Sequence, residues 1–358
     1  MRSRYLQVAS FAAFVVLVQM ATHVTGKPYH LTQLTMTAYY SLLIVGLCML
    51  VGYAGQISLG HAGFFAIGGY LSAVLTTHDL SPYQGSGLVS TLAAAGALVS
   101  RSDPYGGHLL TVHPLLACAV AILASLAIAW LVGGPVLKLK GHYLAMATLG
   151  FGIIVYRVAL ATRILGAADG ISDVPGFPLP LGLEISGSAS ARVSNYYMAW
   201  GLVIVGMILL LNLTHSRVGR ALAAIHGGED AADAMGVPTA RYKLGVFVLS
   251  AAFASLAGVL LTHYNGGIGP SEASVMKSIR YVAIVAIGGM ANLWGALAMS
   301  LVLNYLSLRG YFGSFDDAVF GAILILIMLF APEGLLRRGL VGDLKRLVAR
   351  GASGGDAR

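Results

Sequence analysis

Between two apolar runs, residues 52–63 read Gly52-Tyr53-Ala54-Gly55-Gln56-Ile57-Ser58-Leu59-Gly60-His61-Ala62-Gly63, with four glycines and the uncharged polar side chains of Gln56, Ser58 and His61. Such groups can hydrogen-bond a polar solute, and glycine tolerates the non-helical backbone and close helix approach that interrupted helices need at membrane depth. Close helix packing around a polar turn explains the same pattern, and His61 alone reads more readily as structural.

A second cluster spans residues 216–243. Ser216 is placed to cap a helix over 217–225, and Gly227-Gly228 interrupts it. Glu229 and Asp230 suit the start of a second short helix through its dipole. Gly236 supplies a left-handed C-cap and Pro238 forbids continuation. A plain connector between two spans needs no such amphipathic element, so the segment reads as a docking surface, with a solvated loop as the bland alternative.

Enzyme chemistry finds no support. Paired carboxylates, His-x-x-x-His, Cys-x-x-Cys, a Gly-x-Ser-x-Gly elbow and a Gly-x-x-x-x-Gly-Lys-Ser/Thr phosphate loop are all missing. No catalytic or metal-binding residues are therefore assigned and no cofactor is expected in this chain; if ATP drives the protein, a separate subunit binds it.

The elements that must position these clusters follow from composition. Of 358 residues 57% are apolar and only 10% charged, with a mean hydropathy of +0.80. An ordinary soluble domain carries about 25% charge, so a soluble enzyme, a nucleic-acid binder and a disordered chain are excluded together. The net charge of +8 sits at the ends of apolar runs and marks topology, not a nucleic-acid partner. Cys48 and Cys118 each lie within an apolar run and form no disulfide framework.

Apolar segments cover 6–22, 36–51, 59–77, 115–132, 143–160, 197–213, 244–261, 281–308 and 318–330. The segment 281–308 is overlong and is expected to break into two at Gly288-Gly289-Met290-Ala291-Asn292, which gives an all-α integral membrane protein of about ten transmembrane helices, some short or interrupted. Arg2 and Arg4 then lie inside the cell, together with Lys138, Lys140, Arg217, Arg220, Arg241 and Lys243. So do Arg337, Arg338, Lys345, Arg346, Arg350 and Arg358, so both termini are expected to be cytoplasmic. One transmembrane domain is expected over 1–336, with a cytoplasmic loop at 214–243 and a basic tail at 337–358. A cleaved signal peptide is the alternative for the first segment. Outside, 88–99 is too short to span, and 161–196 reads as irregular.

No carboxylate falls within these segments, and Arg157 is the one cation inside them. Ion-coupled transporters normally hold charge at membrane depth, so the energy source is expected on another chain. A secondary transporter and a channel remain the rival classes.

The motifs together resemble the LivM-type permease subunits of bacterial importers for branched-chain amino acids. The resemblance rests on 55–70, on Tyr143-Leu144-Ala145-Met146-Ala147-Thr148-Leu149-Gly150-Phe151-Gly152, on 217–258 and on Phe330-Ala331-Pro332-Glu333-Gly334-Leu335. It implies an inner-membrane permease half, a second homologous permease chain, two ATPase subunits and an extracytoplasmic solute-binding protein. Many such permeases carry Glu-Ala-Ala-x-x-x-Gly in a coupling helix that seats on the ATPase. Here Asp230-Ala231-Ala232-Asp233-Ala234-Met235-Gly236 keeps the spacing with Asp for Glu, so Arg217, Arg220, Glu229, Asp230, Ala231, Ala232 and Gly236 are the expected coupling residues. Gln56, Ser58, Gly60, His61, Thr148 and Gly150 are the expected path residues. Related permeases carry urea, amides or aromatic acids, and this chain has Ile153 where the family often has Glu, so the solute is left open.

Overall fold

The computed structural model describes residues 2–330 apart from 84–85, 95, 103–107, 140 and 180–181. Lys140, the ending after Phe330 and the basic tail lie outside the described residues.

Every apolar segment expected from the sequence is helical. The helices are α1 (Arg2–Val24), α2 (Tyr29–Cys48), α3 (His61–Thr77), α5 (Pro114–Val136), α6 (His142–Ala161), α7 (Arg192–Thr214), α10 (Thr239–Asn265), α11 (Val275–Gly288), α12 (Leu293–Leu308) and α13 (Asp316–Phe330). Between them lie α4 (Gly87–Ala94), α8 (Arg217–Gly227) and α9 (Glu229–Ala234). Among the described residues six helices are long and apolar enough to cross a membrane: α1, α2 with its extension to Tyr53, α5, α6, α7 and α10. The other four expected spans are shorter, with 17 residues in α3, 14 in α11, 16 in α12 and 15 in α13. The chain is a multi-pass membrane protein, and helix length alone does not establish ten crossings.

Helix α2 runs through the centre, with every residue from Leu34 to Cys48 but Met36 buried. Around it α3 and α10 run side by side in the same direction, as the pairs His61–Ser250 and Ser72–His263 require. Their backbones nearly touch: a Cβ on Gly258 would lie 2.0 Å from the Phe65 carbonyl oxygen, and one on Gly68 2.4 Å from that of Ser255. Small residues that admit such approach are how helices gain packing energy in lipid, where burial from water is not available.

The expected break in 281–308 is present. Gly289 (φ +99°) and Ala291 (φ +59°) turn the chain back, and a Cβ on Gly295 would lie 1.9 Å from the Gly288 oxygen. Helices α11 and α12 therefore form an antiparallel hairpin, closed at its far end by Arg280 Nη1 donating to Ser307 Oγ (3.1 Å).

At the opposite end from this turn lie two small antiparallel hairpins, β1 (Leu98–Ser102) with β2 (His108–Val112), and β3 (Phe177–Pro178) with β4 (Glu184–Ile185). They make the loops at this end of the bundle more ordered than an all-α description implies. Arg101 donates to the Asp173 carbonyl (3.0 Å), so the 78–114 segment folds against the 161–196 segment.

The segment after α10 does not remain at the bundle's end: it turns at Gly266 (φ +69°), pairs Ile268 with Ile171 and folds inward until Ala273 packs beside Ala66 and Tyr70. Helix α11 thus starts part-way down the bundle, which explains its brevity, and its first turns carry Lys277 and Arg280. Glu272, Lys277 and Arg280 meet or closely flank Tyr40 and Tyr281, side chains within the bundle. The charges that linear hydropathy assigns to a connecting loop are brought to mid-height by the re-entrant path.

Candidate functional site

The glycine-rich segment forms a buried clasp at the end of the bundle that carries the 288–292 turn. A π-helical turn, Met49–Tyr53, ends α2, and Gly55 (φ +68°) swings the chain toward α3. Gly52 admits the 288–292 turn, since a Cβ there would lie 2.3 Å from the Ala291 nitrogen. Ser250 donates to the Phe247 carbonyl (2.9 Å), so its oxygen accepts from His61 Nε2 (2.8 Å), and the other ring nitrogen, Nδ1, accepts from Ser58 (3.0 Å). This tautomer follows from the bonding pattern. Thr148 Oγ1 accepts from the Leu59 amide (3.0 Å), and Gln56 Nε2 donates to Ala54 (3.1 Å).

Gln56, Ser58, His61 and Thr148 are all buried. Their hydrogen-bonding capacity is largely committed within the protein in this conformation, as a buried polar group requires. Gly60 sits against the Thr148 carbonyl, with an added Cβ 2.7 Å away, whereas Gly150 faces open space. The expected path residues are thus brought together, with Gly150 alone at an open position.

The second site is the helical pair α8–α9. Ser216 accepts from the Val218 and Gly219 amides (3.1 and 3.4 Å), as its cap position predicts. Gly236 has φ +82°, and the bonds Gly236 N to Asp233 O (2.9 Å) and Val237 N to Ala232 O (3.0 Å) close a Schellman ending. Arg217, Arg220, Asp230, Ala231 and Gly236 are exposed, as is Met235 at 84%, while Ala232 is buried. Glu229 turns inward: its carboxylate lies 2.7 Å from Nζ of the buried Lys243, which also donates to the Leu137 carbonyl (3.0 Å). One ion pair therefore ties α9 to α10 and to the end of α5. On the neighbouring turn His226 lies against Gly55, where a Cβ would meet the ring at 2.9 Å, so the pair also abuts the clasp.

A third cluster was not apparent in the sequence. Lys277 pairs with Glu272 (2.5 Å), and the Tyr40 hydroxyl lies 3.3 Å from both carboxylate oxygens and from Lys277 Nζ. Arg280 is held by Asp316 (2.6 Å) and Asp317 (2.8 Å). A cavity of about 60 Å³ is lined by Tyr40, Lys277, Arg280, Tyr281, Asn304 and Ser307. The available signal was the spacing of Lys277 and Arg280 on one helical face, but hydropathy gives no depth to a residue outside an apolar run.

A helical bundle closed at one end by a buried polar clasp, with a capped and exposed helical pair hung beside that clasp, has the form of a multi-pass membrane permease. The chain belongs to the family described as branched-chain amino acid transport system / permease component, whose model matches residues 29–330. It is 33% identical to the high-affinity branched-chain amino acid transport system permease protein LivM of Salmonella typhimurium, over 84% of this chain and 68% of that protein. It is 26% identical to LivH of Escherichia coli strain K12, over 85% of this chain and 93% of that protein. To BraD of Pseudomonas aeruginosa it is 25% identical, over 87% and 97% respectively. Among solved structures none matches the chain.

Proposed function

We propose that this chain is one permease half of an ATP-driven importer of the bacterial inner membrane, carrying branched-chain amino acids or related small solutes such as amides or aromatic acids. A second, homologous permease completes the path, two ATPase subunits supply the energy, and an extracytoplasmic binding protein delivers the solute. The reading takes ten crossings with both termini cytoplasmic, α8 and α9 facing the cytoplasm.

The observation that carries it is the construction of α8–α9. An exposed, double-capped helical pair, anchored by a buried lysine and resting on the clasp, is suited to receive a push and pass it inward. When the ATPase dimer closes, Arg217, Arg220, Asp230, Ala231 and Gly236 form the contact surface. Glu229 and Ala232 hold α9 to the bundle, and His226 bears on Gly55. Displacement there loosens the bonds among Ser58, His61 and Ser250, so the buried clasp of Gln56, Ser58, Gly60, His61, Thr148 and Gly150 opens the cytoplasmic end of the path.

Affinity purification of the tagged chain from its native membrane tests this. Recovery of ATPase subunits and a second permease is the expected result; recovery of neither overturns the reading. A secondary transporter driven by an ion gradient gains one observation, the Glu272 carboxylate within the bundle. It requires that the chain alone, in liposomes under a gradient and without ATP, carry solute.

A further inference from the structure

We infer that Glu272 and Lys277 form a subsite for the paired charges of an α-amino acid, the ammonium going to Glu272 and the carboxylate to Lys277. This rests on the importer reading above and assigns a solute contact within it.

Depth comes first. Tyr40 lies eleven residues into α2, about 16 Å along a rod of about 37 Å for its 25 residues. Ala273, next to Glu272, packs with Ala66 and Tyr70 of α3, well away from either end of that helix. The pair therefore sits near mid-membrane, where an ionisable residue is a functional group by default.

Structural glue is a poor account of it. An ion pair taken out of water recovers little beyond its desolvation cost, and well-packed apolar residues stabilise at least as well. The side chains of Glu272 and Lys277 also keep 18% and 25% of their surface accessible, on a flank where neighbouring Met276 is 53% exposed. No other part of the described chain covers that flank.

The surrounding groups suit a zwitterion. Tyr40 touches both charges through its hydroxyl. The hydroxyl of Tyr281, which lines the adjoining cavity, is buried with no hydrogen-bond partner among the described residues. A buried hydroxyl left unpaired at rest is free to complete the coordination of an incoming charge. Arg280 is not the carboxylate's partner, because Asp316 and Asp317 already hold it. The adjoining cavity of about 60 Å³ admits a few waters and not an amino acid, so the resting pair closes the subsite. An entering zwitterion exchanges one ion pair for two and moves no net charge, which keeps the cost of passage at this depth low.

The test uses the complete importer in proteoliposomes, with saturating leucine-loaded binding protein and ATP inside. Glu272→Gln and Lys277→Met are each expected to lower leucine uptake about tenfold or more, with assembly on the ATPase subunits retained. The decisive variant is Glu272→Gln with Lys277→Met, which removes both charges. A merely structural ion pair is relieved by this double change, whereas a zwitterion subsite stays lost. Recovery of uptake in the double variant, or single variants within about twofold of wild type, overturns the inference. If a neutral variant does not assemble, Glu272→Asp and Lys277→Arg keep both charges and shift them. They are expected to slow uptake about threefold at normal abundance, and unchanged rates overturn the inference. Failure of the wild-type assembly to import leucine with ATP refutes the importer reading instead.

Discussion

Replacing Lys243 with Met should release α9 from the bundle while leaving the spans in place. The Lys243 side chain is only 3% exposed and makes two bonds, at 2.7 Å to Glu229 and 3.0 Å to the Leu137 carbonyl. A fully buried pair broken on one side costs about 3–5 kcal/mol. Glu229 is 25% exposed and rehydrates in part, which lowers the expected loss to about 2 kcal/mol. At about 1.4 kcal/mol per factor of ten, the docked-to-released ratio of α9 falls about thirtyfold. Ala232 reports this directly, because it is 4% exposed in the docked state. Ala232→Cys should react with a maleimide about thirtyfold faster in the Lys243→Met background, and Cys48 and Cys118, both buried, should stay silent. In the reconstituted importer, ATP hydrolysed per solute carried should rise in parallel. Adding Glu229→Gln should make matters no worse, since it removes the stranded charge. Labelling within about twofold of the parent, with an unchanged ATP-to-solute ratio, refutes the anchoring role.

Gly236→Val places a β-branched residue at φ +82°, a cost of about 1–2 kcal/mol; ATP hydrolysis should persist while uptake falls, and undiminished uptake counts against α9 as a coupling element. Gly258→Ala forces α3 and α10 apart, since its Cβ falls 2.0 Å from the Phe65 oxygen, and should destabilise by about 2–3 kcal/mol as overpacking does. Gly245→Ala on the same helix meets nothing within 4 Å and should be neutral; equal thermal unfolding temperatures for the two variants would refute the close-contact account. In the loop between α3 and α5 Asp79 accepts from the Ser81 hydroxyl (2.6 Å), the Ser81 amide (2.9 Å) and the Leu110 amide (3.1 Å), which hold its carboxyl below the usual range. A depressed folded value means the tether is present above about pH 4 and is lost as pH falls through that lower value. Amide exchange at Leu110 should show this acid step in wild type and none in Asp79→Asn; a step that survives in the variant rules the tether out.

Much of the architecture was legible along the chain. The Ser216 cap, the Gly227-Gly228 interruption, the left-handed ending at Gly236 and the reversal at 288–292 depend on residues within a few positions of one another. Such local rules act before any tertiary contact forms. Apolar run length likewise located each helix of the bundle. The grouping of Ser58 with His61 was partly visible, because glycines and polar residues interleave there, whereas Thr148 joined them only through the family resemblance.

Linear order could not reveal partners. His61 finds Ser250 and Glu229 finds Lys243 only once α3, α9 and α10 pack, so the sequence did not distinguish a satisfied clasp from a solute contact, or an anchor from a docking residue. Depth was hidden for the same reason. Glu272 lies outside every apolar run and reads, along the chain, as a loop residue in water. The fold-back at Gly266 carries it to Tyr40, 232 residues away in sequence. Composition and spacing by themselves determined a helical membrane protein with a capped helical element at 216–243; tertiary structure alone decided where its charges lie, because membrane depth is a property of the packed bundle and not of the chain.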